Sequence, residues 1–157
     1  MKDVFVQLAR NAVNHGIEKP EDRKRKNKKP EGTISLSIRK GSDTNSTDII
    51  EYSFRDDGGG INVELIARKA KERGLIKDGE PFSLSDAVKF VFTSGFSTAD
   101  NTSLGAGRGI GLSIVKSRVS AAKGKIKVKT QKDKYCEYII TLPANAEEKS
   151  ESEKQYA

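Results

Sequence analysis

The chain has 157 residues and a mass of 17.2 kDa, the size of a single domain with a full core and too short for two catalytic domains. Hydrophobic residues make up 34%, charged residues 32%, and the mean hydropathy is -0.63, a composition that folds with polar margins. Lys plus Arg number 29 against 22 Asp plus Glu, a net charge of +7 that brings nucleic acid and acidic lipid into view as partner classes.

The longest clean apolar runs, such as Phe90 to Phe92, fall far short of the roughly 20 residues of a membrane-spanning helix. Met1-Lys2-Asp3 opens no signal-peptide pattern, so a cytoplasmic location is expected. The single cysteine, Cys136, allows no internal disulfide and no Cys-rich zinc site, and reads as a small buried hydrophobe.

From the N-terminus, Val4, Phe5, Leu8, Ala12 and Val13 recur at three- and four-residue spacings and predict a helix over Lys2 to His15, ended by Gly16. Its second face is polar: Gln7, Asn11 and His15 fall at i, i+4 and i+8, with Asn14 beside them. Next comes a Pro-flanked basic stretch with Lys19, Arg23, Lys24, Arg25, Lys26, Lys28 and Lys29. It lacks the interleaved aromatics or helix-face order of a nucleic-acid reader and reads as a solvated loop.

Ile34, Leu36 and Ile38, then Ile50, Tyr52 and Phe54, alternate with polar residues on either side of a turn-rich segment, which predicts a hairpin with one dry face. Asn62 can cap a helix carrying Leu65, Ile66 and Ala70 that stops near Gly74. Ser83 and Asp86 form a capping pair for a helix over Leu84 to Phe92. A further helix follows Gly111 and is closed by Gly124, and two strands, Lys125 to Thr130 and Tyr135 to Leu142, are joined by Lys132-Asp133-Lys134. These elements predict a two-layer α/β sandwich, with a mixed, mainly antiparallel sheet covered on one face by helices. The domain is expected to span 1–144, and 145–157 reads as a charged flexible tail.

Two glycine clusters carry the chemistry. Gly105, Gly107, Gly109 and Gly111 alternate immediately before a helix, an arrangement that leaves backbone amides free to meet an anion where the helix dipole favours one. The run spells neither a Walker A loop nor the dinucleotide fingerprint, and taken alone it is equally consistent with a surface loop. Asp56-Asp57-Gly58-Gly59-Gly60-Ile61 ends a predicted strand, where glycines admit a flat ring and a carboxylate can accept from an exocyclic amine. A plain Asp-Gly turn is the alternative.

Order and combination go further. Asn11 to Glu18 resembles an N box, Asp56 to Ile61 a first glycine box, Phe92 to Thr98 an F box and Gly105 to Lys116 a second glycine box. Together they resemble the ATP-binding domain of the GHKL superfamily, which includes gyrase B, MutL and histidine kinases. The His15-Gly16-Ile17-Glu18 and Gly95-Phe96-Ser97-Thr98 segments resemble the CheA type of chemotaxis histidine kinase. The similarity runs from Val4 to Pro143.

The resemblance implies ATP and Mg2+ as ligands, with Asn11 coordinating magnesium, and with Asn14 beside it and His15 near the phosphates. It implies that Asp56 bonds the adenine amino group in a pocket shaped by Gly58, Gly60 and Ile61. Phe96, Ser97 and Thr98 would border a lid running to Leu104. Gly107, Arg108, Gly109, Ile110, Gly111 and Leu112 would lie along the phosphates. The basic stretch occupies the place of a charged loop in CheA-type domains, which removes the main support for nucleic acid as a partner.

The sequence also departs from the pattern. Gln7 stands at the catalytic position where CheA-type kinases have histidine and many relatives glutamate, and an amide cannot take up a proton at pH 7. Tyr135-Cys136 replaces a Gly-Thr pair, which removes a hydroxyl expected on the phosphate side. The segment that precedes the N-box helix in such domains is not in the chain, nor are the histidine-phosphotransfer, dimerisation and coupling domains. The sequence therefore reads as a piece of a longer kinase or as a pared-down stand-alone protein, and an uncovered sheet edge predicts self-association or marginal stability. The expected activity is donation of the γ-phosphoryl group of ATP to a histidine on a separate domain. The alternative is a nucleotide-binding or interaction module without turnover.

Overall fold

The computed structural model describes residues 1–77, 79–96 and 111–144. Helix α1 (Lys2–Asn11) continues into a wider π-helical turn, Ala12–Gly16, and a short helix α2 (Pro20–Arg25) follows. Strands β1 (Ile34–Ser42) and β2 (Asp48–Asp56) form a hairpin. Helices α3 (Val63–Glu72), α4 (Leu84–Val91) and α5 (Gly111–Ala121) precede a second hairpin of β3 (Lys125–Gln131) and β4 (Tyr135–Pro143).

The four strands make one sheet in the order β1-β2-β4-β3, and all of its pairings are antiparallel. The second hairpin inserts its last strand next to β2, which brings the C-terminal end of the described chain into the centre of the sheet. Along β2 and β4 the alternation is strict: Ile50, Tyr52, Phe54 and Asp56 point to the same side as Cys136, Tyr138, Ile140 and Leu142. That side is buried under α1 and α5, whose Val4, Leu8, Ala12, Val115 and Val119 complete the main core. The result is the expected two-layer α/β sandwich. Each large apolar side chain removed from water here contributes about 1.5 to 3 kcal/mol before entropy is counted.

A second, smaller cluster joins α3 and α4 through Ile66, Ala70, Ala87 and Phe96, and Ile61 packs against both clusters. The expected caps are in place. Asn62 accepts from the Leu65 N–H at 3.0 Å, and Ser83 and Asp86 form a reciprocal capping box at the start of α4.

Two local expectations need correction and a third is refined. The first helix does not run regularly to His15, because the Ile17 N–H reaches back five residues to Ala12 O and opens a π turn. The first hairpin is dry only on β2: Ile34, Leu36 and Ile38 lie on the core side yet are 37%, 46% and 60% exposed, since no described helix covers β1. The left-handed residue that ends α5 is Lys123, with φ of 56°, while Gly124 closes the helix through its N–H, which donates to Val119 O at 2.9 Å, and lets the chain pass close to Leu142.

Candidate functional site

The site is assembled around the end of β2. Asp56, the last residue of that strand, is 3% exposed although it is a carboxylate. Its Oδ1 accepts the Gly58 N–H at 3.0 Å, and no other donor to this carboxylate is found among the described residues. Burial pushes the Asp56 carboxyl above its ordinary value, and the Gly58 N–H pulls only partly against it. A buried acid of this kind, with one oxygen fixed and no donor to the other among the described residues, is suited to receive a donor from a ligand.

The turn after β2 is packed against the N-box segment. The Gly59 N–H donates to Gly16 O at 2.8 Å, and a Cβ on Gly58 would collide with that same Gly16 carbonyl. Gly60 has φ of 69°, which favours glycine, and it turns the chain beside Thr130. Ile61 then anchors the turn through its N–H, which donates to Thr130 Oγ1 at 3.0 Å.

The middle of the same helical element meets α5. A Cβ on Gly111 would lie 2.5 Å from Gln7 Nε2 and 3.4 Å from Asn11 Oδ1, so the start of α5 abuts both amides. Gln7 Nε2 donates to Asn11 Oδ1 at 3.2 Å. Leu112, next along α5, packs against the main core and fixes the helix start. One continuous element therefore touches Asp56 at its C-terminal end, through Gly16, and the first turn of α5 at its middle, through Gln7 and Asn11.

Of the residues singled out in the sequence, Asn11, Gly111 and Gln7 form one cluster, with Leu112 next along α5 packed against the main core, and Asp56, Gly58, Gly60 and Ile61 form another, with the π turn between them. Asn14 and His15 lie on that turn and are exposed, and the turn breaks the straight stripe they were expected to share with Gln7. Phe96 is buried in the second cluster, 5.2 Å from Phe90 between ring centroids. Ser97, Thr98, Gly107, Arg108, Gly109 and Ile110, with the rest of the expected lid, lie outside the described residues.

Cys136 corrects a further expectation. It is the β4 residue directly opposite Asp56, so the side chain that replaces a hydroxyl stands beside the carboxylate and not in the Gln7–Asn11–Gly111 cluster. Burial pushes its thiol up to about 12, and Asp56 adds to the effect.

Sequence reasoning missed a group of residues behind the turn. Arg23 is 1% exposed, and its guanidinium reaches Glu18 and Asp57 side chains and three backbone carbonyls. Lys28 donates to Gly58 O at 2.8 Å and to Glu18 Oε1 at 3.0 Å, and Lys26 bridges Glu18 and Asp133. The stretch read as a solvated loop is thus solvated only in part: Lys19, Lys24, Arg25 and Lys29 are exposed, whereas Arg23 and Lys28 turn inward. The usable signal was the pair of acids at Glu18 and Asp57, which need cationic partners if they are buried.

No helix of the described residues is long and apolar enough to cross a membrane. Nor do these residues include a group of three or more His, Cys, Asp or Glu able to hold a metal.

The family model for histidine kinase-, DNA gyrase B-, and HSP90-like ATPases matches residues 1–146. The chain is 36% identical to the chemotaxis protein CheA of Treponema pallidum over 141 residues, which is 90% of this chain and 17% of that protein. It is 38% identical to CheA of Bacillus subtilis over 143 residues, covering 90% of this chain and 20% of the relative. For CheA of Halobacterium salinarum the identity is 35%, over 91% of this chain and 21% of the relative. The chain thus spans about a fifth of the length of these relatives. Among solved structures, the histidine kinase domain of the blue-light activated histidine kinase EL346 from Erythrobacter litoralis aligns with a TM-score of 0.46 and 13% identity, over 94% of this chain and 44% of that one.

Proposed function

This chain belongs to the family of histidine kinase-, DNA gyrase B- and HSP90-like ATPases, and from that premise we propose that it binds ATP with Mg2+ as the catalytic domain of a CheA-like chemotaxis kinase. The reaction is transfer of the γ-phosphoryl group to a histidine on a separate domain, in the same polypeptide or another. The observation that carries this reading is the buried Asp56, which is held at one oxygen by the Gly58 N–H and set against Gly16 at the end of the N-box segment.

Asp56 accepts the exocyclic amine of adenine, a charge-assisted bond worth about 1.5 to 3 kcal/mol. The triphosphate extends from there along the π turn toward the first turn of α5, where the positive end of the helix dipole favours anions. Asn11 offers a neutral oxygen that accepts from Gln7 and keeps a second lone pair, which suits a hard cation whose other ligands are phosphate and water. Magnesium, when bound, supplies neutralisation of charge on the β- and γ-phosphate oxygens.

Gln7 takes no proton, so it positions Asn11 and acts as no base. Transfer to a neutral imidazole has a loose transition state, which asks for alignment and charge neutralisation more than for deprotonation. The chemistry is therefore slowed and ATP binding retained. The same Gln7–Asn11 bond favours a second reading, a nucleotide-binding or interaction module without turnover. Incubation with γ-labelled ATP, magnesium and a supplied histidine-phosphotransfer domain separates the two. Label on the acceptor histidine supports the kinase, and tight ATP binding with no label on that domain supports the module.

A further inference from the structure

We propose that Arg23 is the positioning residue of this site: from behind the turn it fixes the peptide planes that hold Asp56 in place for adenine. The inference rests on the nucleotide reading given above and adds to it a residue with no counterpart among the glycine and asparagine boxes.

The guanidinium has five N–H donors, and each finds its own acceptor. Nε donates to Lys29 O at 2.7 Å, Nη1 to Asp57 O and to Glu18 Oε2, both at 3.2 Å, and Nη2 to Glu31 O at 3.1 Å and Asp57 Oδ2 at 2.9 Å. Residues 29 to 31 thereby form a collar around a cation that is 1% exposed. A lysine offers three donors from a single point and cannot fill this fork.

The acceptors form a continuous path to Asp56. Arg23 holds the carbonyl of Asp57, and Lys28, tied to the same Glu18, holds the carbonyl of Gly58. The peptide N–H groups that follow those two carbonyls belong to Gly58 and Gly59. The first donates to Asp56 Oδ1 and the second to Gly16 O. Because a peptide unit is planar, fixing its carbonyl on one side aims its N–H on the other. Asp57 is clamped independently, its Oδ1 accepting the Thr33 N–H at 2.9 Å while its N–H donates to Thr33 O at 3.1 Å. The clamp is thus a positioning device two peptide units long, with the ligand-facing carboxylate at its end.

The test uses the whole chain as Arg23→Lys, with Lys28→Met as a milder variant that removes the donor to Gly58 O together with the Lys28–Glu18 ion pair and leaves the Arg23 fork in place. Arg25→Ala is the control, an exposed cation from the same stretch whose side chain is 76% exposed. Amide hydrogen exchange at Gly58 and Gly59 and the NMR titration of the Asp56 carboxyl are followed under conditions where all variants remain folded. Mg-ATP and magnesium tripolyphosphate, which lacks the base, are titrated calorimetrically.

The expected result for Arg23→Lys is exchange at Gly58 and Gly59 at least ten-fold faster, a displaced Asp56 titration and ATP binding about ten-fold weaker, with tripolyphosphate binding unchanged. Lys28→Met shows the same pattern in smaller measure and Arg25→Ala none of it. Unchanged exchange and titration in both clamp variants would overturn the proposal. So would an equal loss of ATP and tripolyphosphate binding, which marks a general loosening of the site. Absence of ATP binding by wild type, with the faster exchange still seen in the clamp variants, would sink the nucleotide reading and leave the clamp's hold on the turn standing.

Discussion

Gln7 donates its side-chain amide to Asn11 Oδ1 at 3.2 Å, one helical turn along α1, where both side chains face the first residue of α5. The bond ties the residue at the usual proton-handling position to the one expected to meet magnesium. A general base at such a position is typically worth about 10² to 10⁴-fold, and transfer to a neutral imidazole uses only part of that. Gln7→His is therefore expected to raise the rate of phosphotransfer to a supplied histidine domain by about ten-fold or more. Its ATP affinity should stay within about two-fold of wild type, since the adenine end is untouched. Single-turnover transfer and calorimetric binding check the two halves separately.

On the nucleotide reading, Asp56 is expected to set the pH dependence of ATP binding. Burial raises its carboxyl in the free protein, and an amine donor from the ligand favours the charged form. ATP affinity should fall as pH drops through the raised value, and binding on that limb should release a proton. For stability the sign is opposite: the folded value exceeds the unfolded one, so the contribution is complete below the unfolded value of 3.8 and is lost as pH rises through the folded one. Asp56→Asn should abolish the pH dependence of binding on that limb and stabilise the apo domain at neutral pH. Titration in two buffers of different ionisation heat measures the proton, and thermal unfolding from below pH 3.8 up to neutral pH measures the stability.

Cys136 should be inert. Burial holds its thiol up at about 12, and only 6% of the residue is exposed, so thiol reagents at pH 8 are expected to label it at the rate of global opening. Because it faces Asp56 across the β2–β4 ladder, Cys136→Thr places a stronger hydroxyl donor beside the carboxylate. A donor to the carboxylate favours its charged form, so the expected outcome is an Asp56 carboxyl lowered from its raised value and ATP binding retained to lower pH than in wild type.

Strand β1 is an edge nine residues long without proline, and its core-side Ile34, Leu36 and Ile38 are open to solvent. Such edges template pairing with other chains unless charge or a bulge blocks it. Wild type is expected to self-associate with rising concentration, and Leu36→Lys with Ile38→Lys to suppress this without loss of ATP binding. Light scattering after size-exclusion chromatography, over a hundred-fold range of concentration, makes the comparison.

How much of this was legible beforehand differs by residue. The period-two runs at Ile50 to Phe54 and Tyr135 to Leu142 gave the central strands because both of their neighbours are present, and the Asn62 and Ser83 caps are local chemistry that tertiary structure left alone. Alternation at Ile34 to Ile38 announced an apolar face but carries no information on whether anything covers it. The π turn at Ala12 to Gly16 was hidden because one extra residue in a turn leaves the apolar spacing of Val4, Leu8 and Ala12 unchanged. Arg23 was hidden for a different reason: a buried cation and a solvated one have the same sequence neighbours here. Only its partners Glu18, at a short distance, and Asp57, far along the chain, distinguish the two.

The most direct test of the nucleotide site is calorimetric titration of ATP and a non-hydrolysable analogue, each with and without magnesium, into wild type and Asp56→Ala. Magnesium-dependent binding of both ligands to wild type, weakened about ten- to a hundred-fold in the variant, is the predicted result. Absence of binding by wild type shown to be folded, or equal binding by the two proteins, would contradict it.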